Sequence, residues 1–132
     1  MQVTLKQIAE GWASLKKLGE VQAGSGLTIK QAYWLGKLIA AAEPEVQRID
    51  KLRMDLFEKY GEPVKDEDGK EIVPRQLKIK EGSEVAFVEQ VESLLAESID
   101  LPGQKLALAD LADSLPLSAL DLGRLDWLIT EG

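Results

Sequence analysis

Apolar residues along this chain follow two periods, one helical and one alternating, separated by breaks rich in glycine and proline. The longest helical pattern is a heptad seam. Leu35, Ala42, Ile49 and Leu56 recur every seven residues, with Leu38 and Leu52 at intervening seam positions. Thr28 followed by Gln31 reads as a capping box, so the spacing predicts one long helix over 28–61. About 33 residues of helix would reach roughly 50 Å, longer than a compact domain of this size is wide. Pro44 lies inside the pattern, where it removes a backbone bond and crowds the carbonyl of Ala40. Because the seam stays in register across it, a single kinked helix is expected, with Glu45 as a polar interruption and Gly61 as a left-handed stop.

Shorter elements flank this helix. Leu5, Ile8, Trp12, Leu15 and Leu18, three or four apart behind Thr4, predict a helix within 1–19. Residues 62–82 read as an acidic turn at Asp68-Gly69 followed by a ribbon. In that ribbon Ile72 and Val73 face Leu77 and Ile79, with Pro74 at an edge or bulge. Ser83 opens a helix over 83–97 whose inner face is Val88, Val91, Leu94 and Leu95, flanked by Val85 and Phe87. Ile99/Leu101 and Leu106/Leu108 alternate around Pro102-Gly103, which predicts a second short β element over 98–109. Ser118 with Asp121, and Leu117 with Leu122, mark the cap and staple of a last helix over 118–131, with Leu122, Leu125, Leu128 and Ile129 as its buried face. The fold class expected is α+β, mainly α. It comprises four helices, one long and kinked over about 28–60, and one or two short β-hairpins in a single domain over 1–132.

Composition narrows the chemistry. The 132 residues include no cysteine and no histidine, which excludes disulfides, thiolate nucleophiles, Cys/His zinc sites and histidine general bases. The 23 acidic and 16 basic side chains give a net charge of −7, opposite to what a nucleic-acid backbone attracts. The densest basic stretch, Arg75 to Lys80, is short and lies between acidic segments. No apolar run approaches the roughly 20 residues that span a bilayer, and Met1 to Leu5 lacks a secretion-signal layout. No nucleic acid, membrane or cofactor is therefore expected, and an acidic surface suits a partner protein with a basic groove.

Three motifs invite chemistry and fail on their own residues. A calcium loop counted from Asp68-Gly69 would place Val64 and Arg75 where oxygen ligands are required. Gly24-Ser25-Gly26 precedes a helix but lacks the lysine and spacing of a P-loop. The carboxylate pairs Glu43/Glu45 and Asp66/Asp68 fall in stretches expected to be wet, where nothing raises a carboxylate pKa. The chain is accordingly expected not to be an enzyme. Trp12 and Trp127 read as core. Tyr33 and Trp34 are adjacent and cannot both point inward, so one is expected to be partly exposed or to sit at an interface.

The order of several short runs carries a resemblance. Leu27-Thr28-Ile29-Lys30, Lys37-Leu38-Ile39, Glu43-Pro44-Glu45 and Glu58-Lys59-Tyr60-Gly61 are followed by Asp66-Glu67-Asp68-Gly69, Leu77-Lys78-Ile79-Lys80 and Phe87. Over about residues 27–129 they resemble a family of short phage and prophage proteins of unknown function. The resemblance implies an origin and a location in the cytoplasm of a bacterial host. It supplies no catalytic residues. The expected function is an accessory protein that binds a host or phage protein, as in inhibition of an antiviral-defence factor. The contact residues expected are Asp66, Glu67, Asp68 and Glu71 of the acidic turn, where charge would steer an encounter, together with Trp34. One alternative is a virion or assembly component that oligomerises through the heptad seam. Another is a protein that sequesters a small molecule.

Overall fold

A computed structural model of the chain describes residues 1–73 and 76–131. The expected roles of Pro74 in the ribbon and of Arg75 in the basic stretch and the calcium-loop count lie outside the described residues. The fold is α+β, mainly α, about 53% helical with four helices and short strands among the described residues.

Three of the four helices begin on capping boxes, which satisfy otherwise orphaned N–H groups at each start. Thr4 caps α1 (Leu5–Gly19): its hydroxyl accepts from the Gln7 N–H at 3.1 Å, and Gln7 Oε1 accepts from the Thr4 N–H at 2.9 Å. Thr28 and Gln31 repeat this at α2 (Ile29–Tyr60), as do Ser118 and Asp121 at α4 (Ala119–Arg124). The start of α3 (Glu84–Leu95) differs from expectation. Ser83 makes no side-chain cap, and Glu84 Oε2 instead accepts from the Gly82 N–H at 2.9 Å.

Pro44 does not divide α2, which is one helix. Pro44 and Ala40 are both exposed, so the carbonyl that loses its partner faces water. Gly61 corrects the expected left-handed stop. Its backbone is extended (φ −96°, ψ 163°), and the chain passes directly from helix into β2 (Gly61–Pro63). Pro63 keeps the preceding Glu62 out of the helical region, so the chain stays extended beyond Gly61.

The strands are short and pair differently from expectation. β2 pairs antiparallel with β3 (Leu77–Ile79), Gly61 opposite Ile79, so Ile72 and Val73 are not the partner strand. Ile99 and Leu101 do not form a hairpin with Leu106 and Leu108. Instead β4 (Ser98–Asp100) pairs with β1 (Gln2–Thr4), which precedes α1 where the helical reading had extended to residue 1. β5 (Leu106–Ala107) pairs in parallel with β6 (Ile129–Thr130). The last helix is also shorter than 118–131. It ends at Arg124, whose carbonyl accepts from Trp127 Nε1–H at 3.1 Å, and the chain turns into β6.

One core joins these pieces. α1 contributes Leu5, Ile8, Leu15 and Leu18, α2 as far as Ile49 contributes Leu35, Leu38, Ala42 and Ile49, and Leu125 and Leu128 close it beyond α4. Burial along α2 stops at Ile49. From there α2 continues past the core and packs on α3, in which no residue is fully buried, and on the β2–β3 ribbon.

Candidate protein-contact site

The acidic turn is built largely by its own first residue. Asp66 Oδ1 accepts from the backbone N–H of Asp68 at 3.0 Å and of Lys70 at 2.9 Å, and Gly69 takes the left-handed conformation (φ 78°) that closes the loop. The Asp66 carboxylate is thus engaged within the turn. Glu67, Asp68 and Glu71 are exposed and make no side-chain hydrogen bond or ion pair among the described residues.

Trp34 is half-buried near the start of α2. Its ring meets Tyr33 edge-on at 5.4 Å, and Lys37 Nζ lies 5.4 Å from the Trp34 centroid and 5.1 Å from that of Tyr33. It lines a cavity of about 380 Å³ shared with Lys30, Gln104 and Lys105. Between Trp34 and Tyr60, α2 rises roughly 40 Å. The turn and Trp34 therefore do not form one patch.

A different surface has the character of a contact site. Where α2 runs beyond the core, a groove of about 390 Å³ opens between it, α3 and the ribbon. Met54 and Phe57 form one wall, Phe87 and Val91 the other, and Leu77 of β3 closes the end. Arg53 and Glu58, both on α2, also line it. Phe87 is held edge-on between Phe57 at 5.9 Å and Tyr60 at 6.4 Å, which gives the groove an aromatic floor. Its α2 edge is apolar and wet, with Met54 66% exposed, and on α3 the exposed Val88 stands three residues before the lining Val91. Val88 was expected on the inner face of its helix and is not there. Phe87 and Val91, one turn apart, occupy that face and rotate Val88 outward. The signal in the sequence was Met54, an apolar residue off the heptad seam.

The described residues hold one buried ionised group outside this groove. Asp121, at the start of α4, accepts from Ser14 Oγ at 2.6 Å, Lys17 Nζ at 3.0 Å and the Ser118 N–H at 3.0 Å. The Ser14 hydroxyl, followed by the Ser118 and Lys17 hydrogen bonds, holds the Asp121 carboxyl well below the usual carboxylate range, against an opposing desolvation effect. Ser14 is fully buried and donates its O–H to Asp121, so the pair ties α1 to the start of α4. A depressed folded pKa contributes stability above the unfolded value of about 3.9, and that stability is lost as pH falls toward the folded value. Thermal melts between pH 7 and pH 2 should show Asp121→Asn destabilised at neutral pH. The gap to the parent chain should narrow below about pH 4, where acid protonates this carboxylate in the parent's unfolded state while the folded state still holds it ionised. A constant gap would contradict the assignment.

Comparison with protein-family models, with curated proteins and with solved structures finds no match to this chain.

Proposed function

We propose that this chain is a non-enzymatic module that binds another protein through the groove between the second half of α2 and α3. On the resemblance of its sequence to phage and prophage proteins, it acts as an accessory factor in the cytoplasm of an infected bacterium, where it occupies a surface of a host or defence protein. The observation that carries the reading is an aromatic-floored apolar groove edged by the exposed Met54, with the exposed Val88 close to its α3 side. Isolated apolar residues on a surface are ordinary, but a contiguous set bordering a concave site marks an interaction surface. The acidic turn is carried on the same β2–β3 ribbon that supplies Leu77, so its charge would steer the encounter without making the tight contact.

Self-assembly through the heptad seam has less support. Leu35, Leu38, Ala42 and Ile49 are covered within the chain, which leaves no continuous seam for a second copy.

The test is affinity capture from infected cells with the parent chain and with a Met54→Asp/Val88→Asp variant. Both positions are exposed, so the variant should keep the parent's circular dichroism spectrum and melt within a few degrees of it. Bound proteins should fall at least tenfold, on the order expected for placing charge inside an apolar contact. Equal recovery by a folded variant would overturn the groove as the contact surface.

A further inference from the structure

We infer that the cavity beside Trp34 binds a small molecule that joins a flat aromatic ring to an anionic group. Its volume of about 380 Å³ lies within the range of small-molecule sites, about 300–1,000 Å³. Two distant stretches of chain build it, the first turns of α2 and the segment that leads into β5. Leu106 of β5 is buried, and its N–H donates to the Leu128 carbonyl at 2.8 Å, so that wall is fixed. Trp34 is the aromatic wall, steadied by Tyr33 edge-on at 5.4 Å.

The polar groups of the lining are biased toward donors. Lys30 and Lys105 both line the cavity, and neither has a carboxylate within ion-pair distance among the described residues. Lys30 and Trp34 stand at i and i+4, on one face of α2. Lys37 Nζ, 5.4 Å from the Trp34 centroid, adds another ammonium without a carboxylate partner. The Thr28 hydroxyl and Gln31 Oε1 already accept backbone N–H groups in the capping box, at 3.1 and 2.9 Å, which leaves Gln31 its amide N–H groups to offer. Asp110 is the carboxylate of the lining, and it suits a hydroxyl or N–H elsewhere on the same ligand. In a chain of net charge −7, lysines gathered around an indole reverse the local sign. A neutral ring would gain nothing from the lysines, and a bare anion would gain nothing from the indole. A ring against Trp34 with a phosphate or carboxylate between Lys30 and Lys105 uses both. Trp34 and Met54 lie about 30 Å apart along α2, so this site is separate from the groove between α2 and α3.

The test titrates the full chain with AMP and with 2-naphthoate, which join a flat ring to a phosphate and to a carboxylate. Adenosine, 2-naphthamide and inorganic phosphate supply the neutral rings and the bare anion. Indole N–H signals in NMR report binding: that of Trp34 should shift, while those of Trp12 and Trp127 stay in place. At least one anionic ring compound should bind at least tenfold tighter than its neutral counterpart and than phosphate, and the one that does so names the anion. Lys30 and Lys105 are exposed, so Lys30→Gln/Lys105→Gln should melt within a few degrees of the parent. That variant should lose the tenfold preference, which should also narrow at high salt. Trp34→Leu should abolish binding of both ring compounds. If it does not fold, the lysine variant and the Trp34 signal decide alone. The inference is overturned if neither compound moves the Trp34 signal, or if the neutral rings or phosphate bind as tightly. It is equally overturned if the folded lysine variant keeps the preference.

Discussion

Leu38→Ala should destabilise the chain by about 2–5 kcal/mol, whereas Leu52→Ala, at the equivalent seam position two heptads on, should cost under about 1 kcal/mol. The substitution is the same and so is the heptad position. Only the surroundings differ. Leu38 is 1% exposed and sits under the loop at Gly103, where a Cβ would lie 3.6 Å from that of Leu38. Removing its side chain leaves a void walled by α1 and that loop, and a close-packed interior collapses into such a void only in part. Leu52 is 44% exposed beside α3, so water replaces most of what it loses. Against a typical total stability of about 5–15 kcal/mol, the first change is large and the second small. Urea unfolding of both variants measures the difference. Similar losses at the two positions would mean that α2 is covered along its whole length, contrary to the burial that stops at Ile49.

That contrast also shows which parts of the fold could be read from the sequence. Helix starts were legible at Thr4, Thr28 and Ser118 because a capping box is a local interaction, complete within four residues. The strands were not. Val3 pairs with Ile99 and Leu106 with Ile129, and nothing within a three-residue run specifies a partner so far along the chain. The same limit applies to Asp121: its cap with Ser118 was visible, but its bond to Ser14 spans 107 positions. The acidic turn was found by its charge density, yet Asp66 proved to be spent on backbone N–H groups that hold the loop shut. The groove could not be read directly, because periodicity says which residues share a face and not whether anything covers that face. Val88 fits the apolar period of α3 as well as Val91 does. The two are separated only by how α3 rolls on α2, which Phe57 and Phe87 decide.

Uneven packing along α2 is the physical link between this fold and the proposed contact. The half before Pro44 is fixed by α1 and the closing strands, so it can serve as a rigid base. Beyond Ile49 the helix is held mainly by side chains that remain half exposed, and a partner that covers them gains apolar burial of roughly 25 cal/mol per Å². Regions with few buried apolar contacts are also those that open locally first. Binding at the groove would therefore raise amide protection in α3 more than in α1.

Gly11→Val should cost at least about 3 kcal/mol, toward the upper end of what overpacking costs. Gly11 lies inside α1 at the crossing with the α4 segment. A Cβ there would lie 2.8 Å from the Arg124 carbonyl oxygen, 3.2 Å from Trp127 Nε1 and 3.6 Å from Leu125 Cδ2. The first neighbour is backbone, and the Trp127 N–H already donates to that same carbonyl. Neither can move without separating the two helices, and separation would also stretch the tie from Ser14 and Lys17 to Asp121. A glycine inside a helix ordinarily gains about 0.5–1 kcal/mol when alanine replaces it, because the unfolded chain loses freedom. Gly36 of α2 supplies the control. It is exposed and a Cβ there would meet nothing within 4 Å, so Gly36→Ala should stabilise by about that amount. Gly11→Ala should invert the sign and lower stability by about 1–2 kcal/mol, since the clash exceeds the entropic gain. Opposite signs for one substitution in two helices would place the close contact of α1 with the Arg124 turn. If Gly11→Ala stabilised the chain as Gly36→Ala does, the two helices would lie farther apart than their geometry requires.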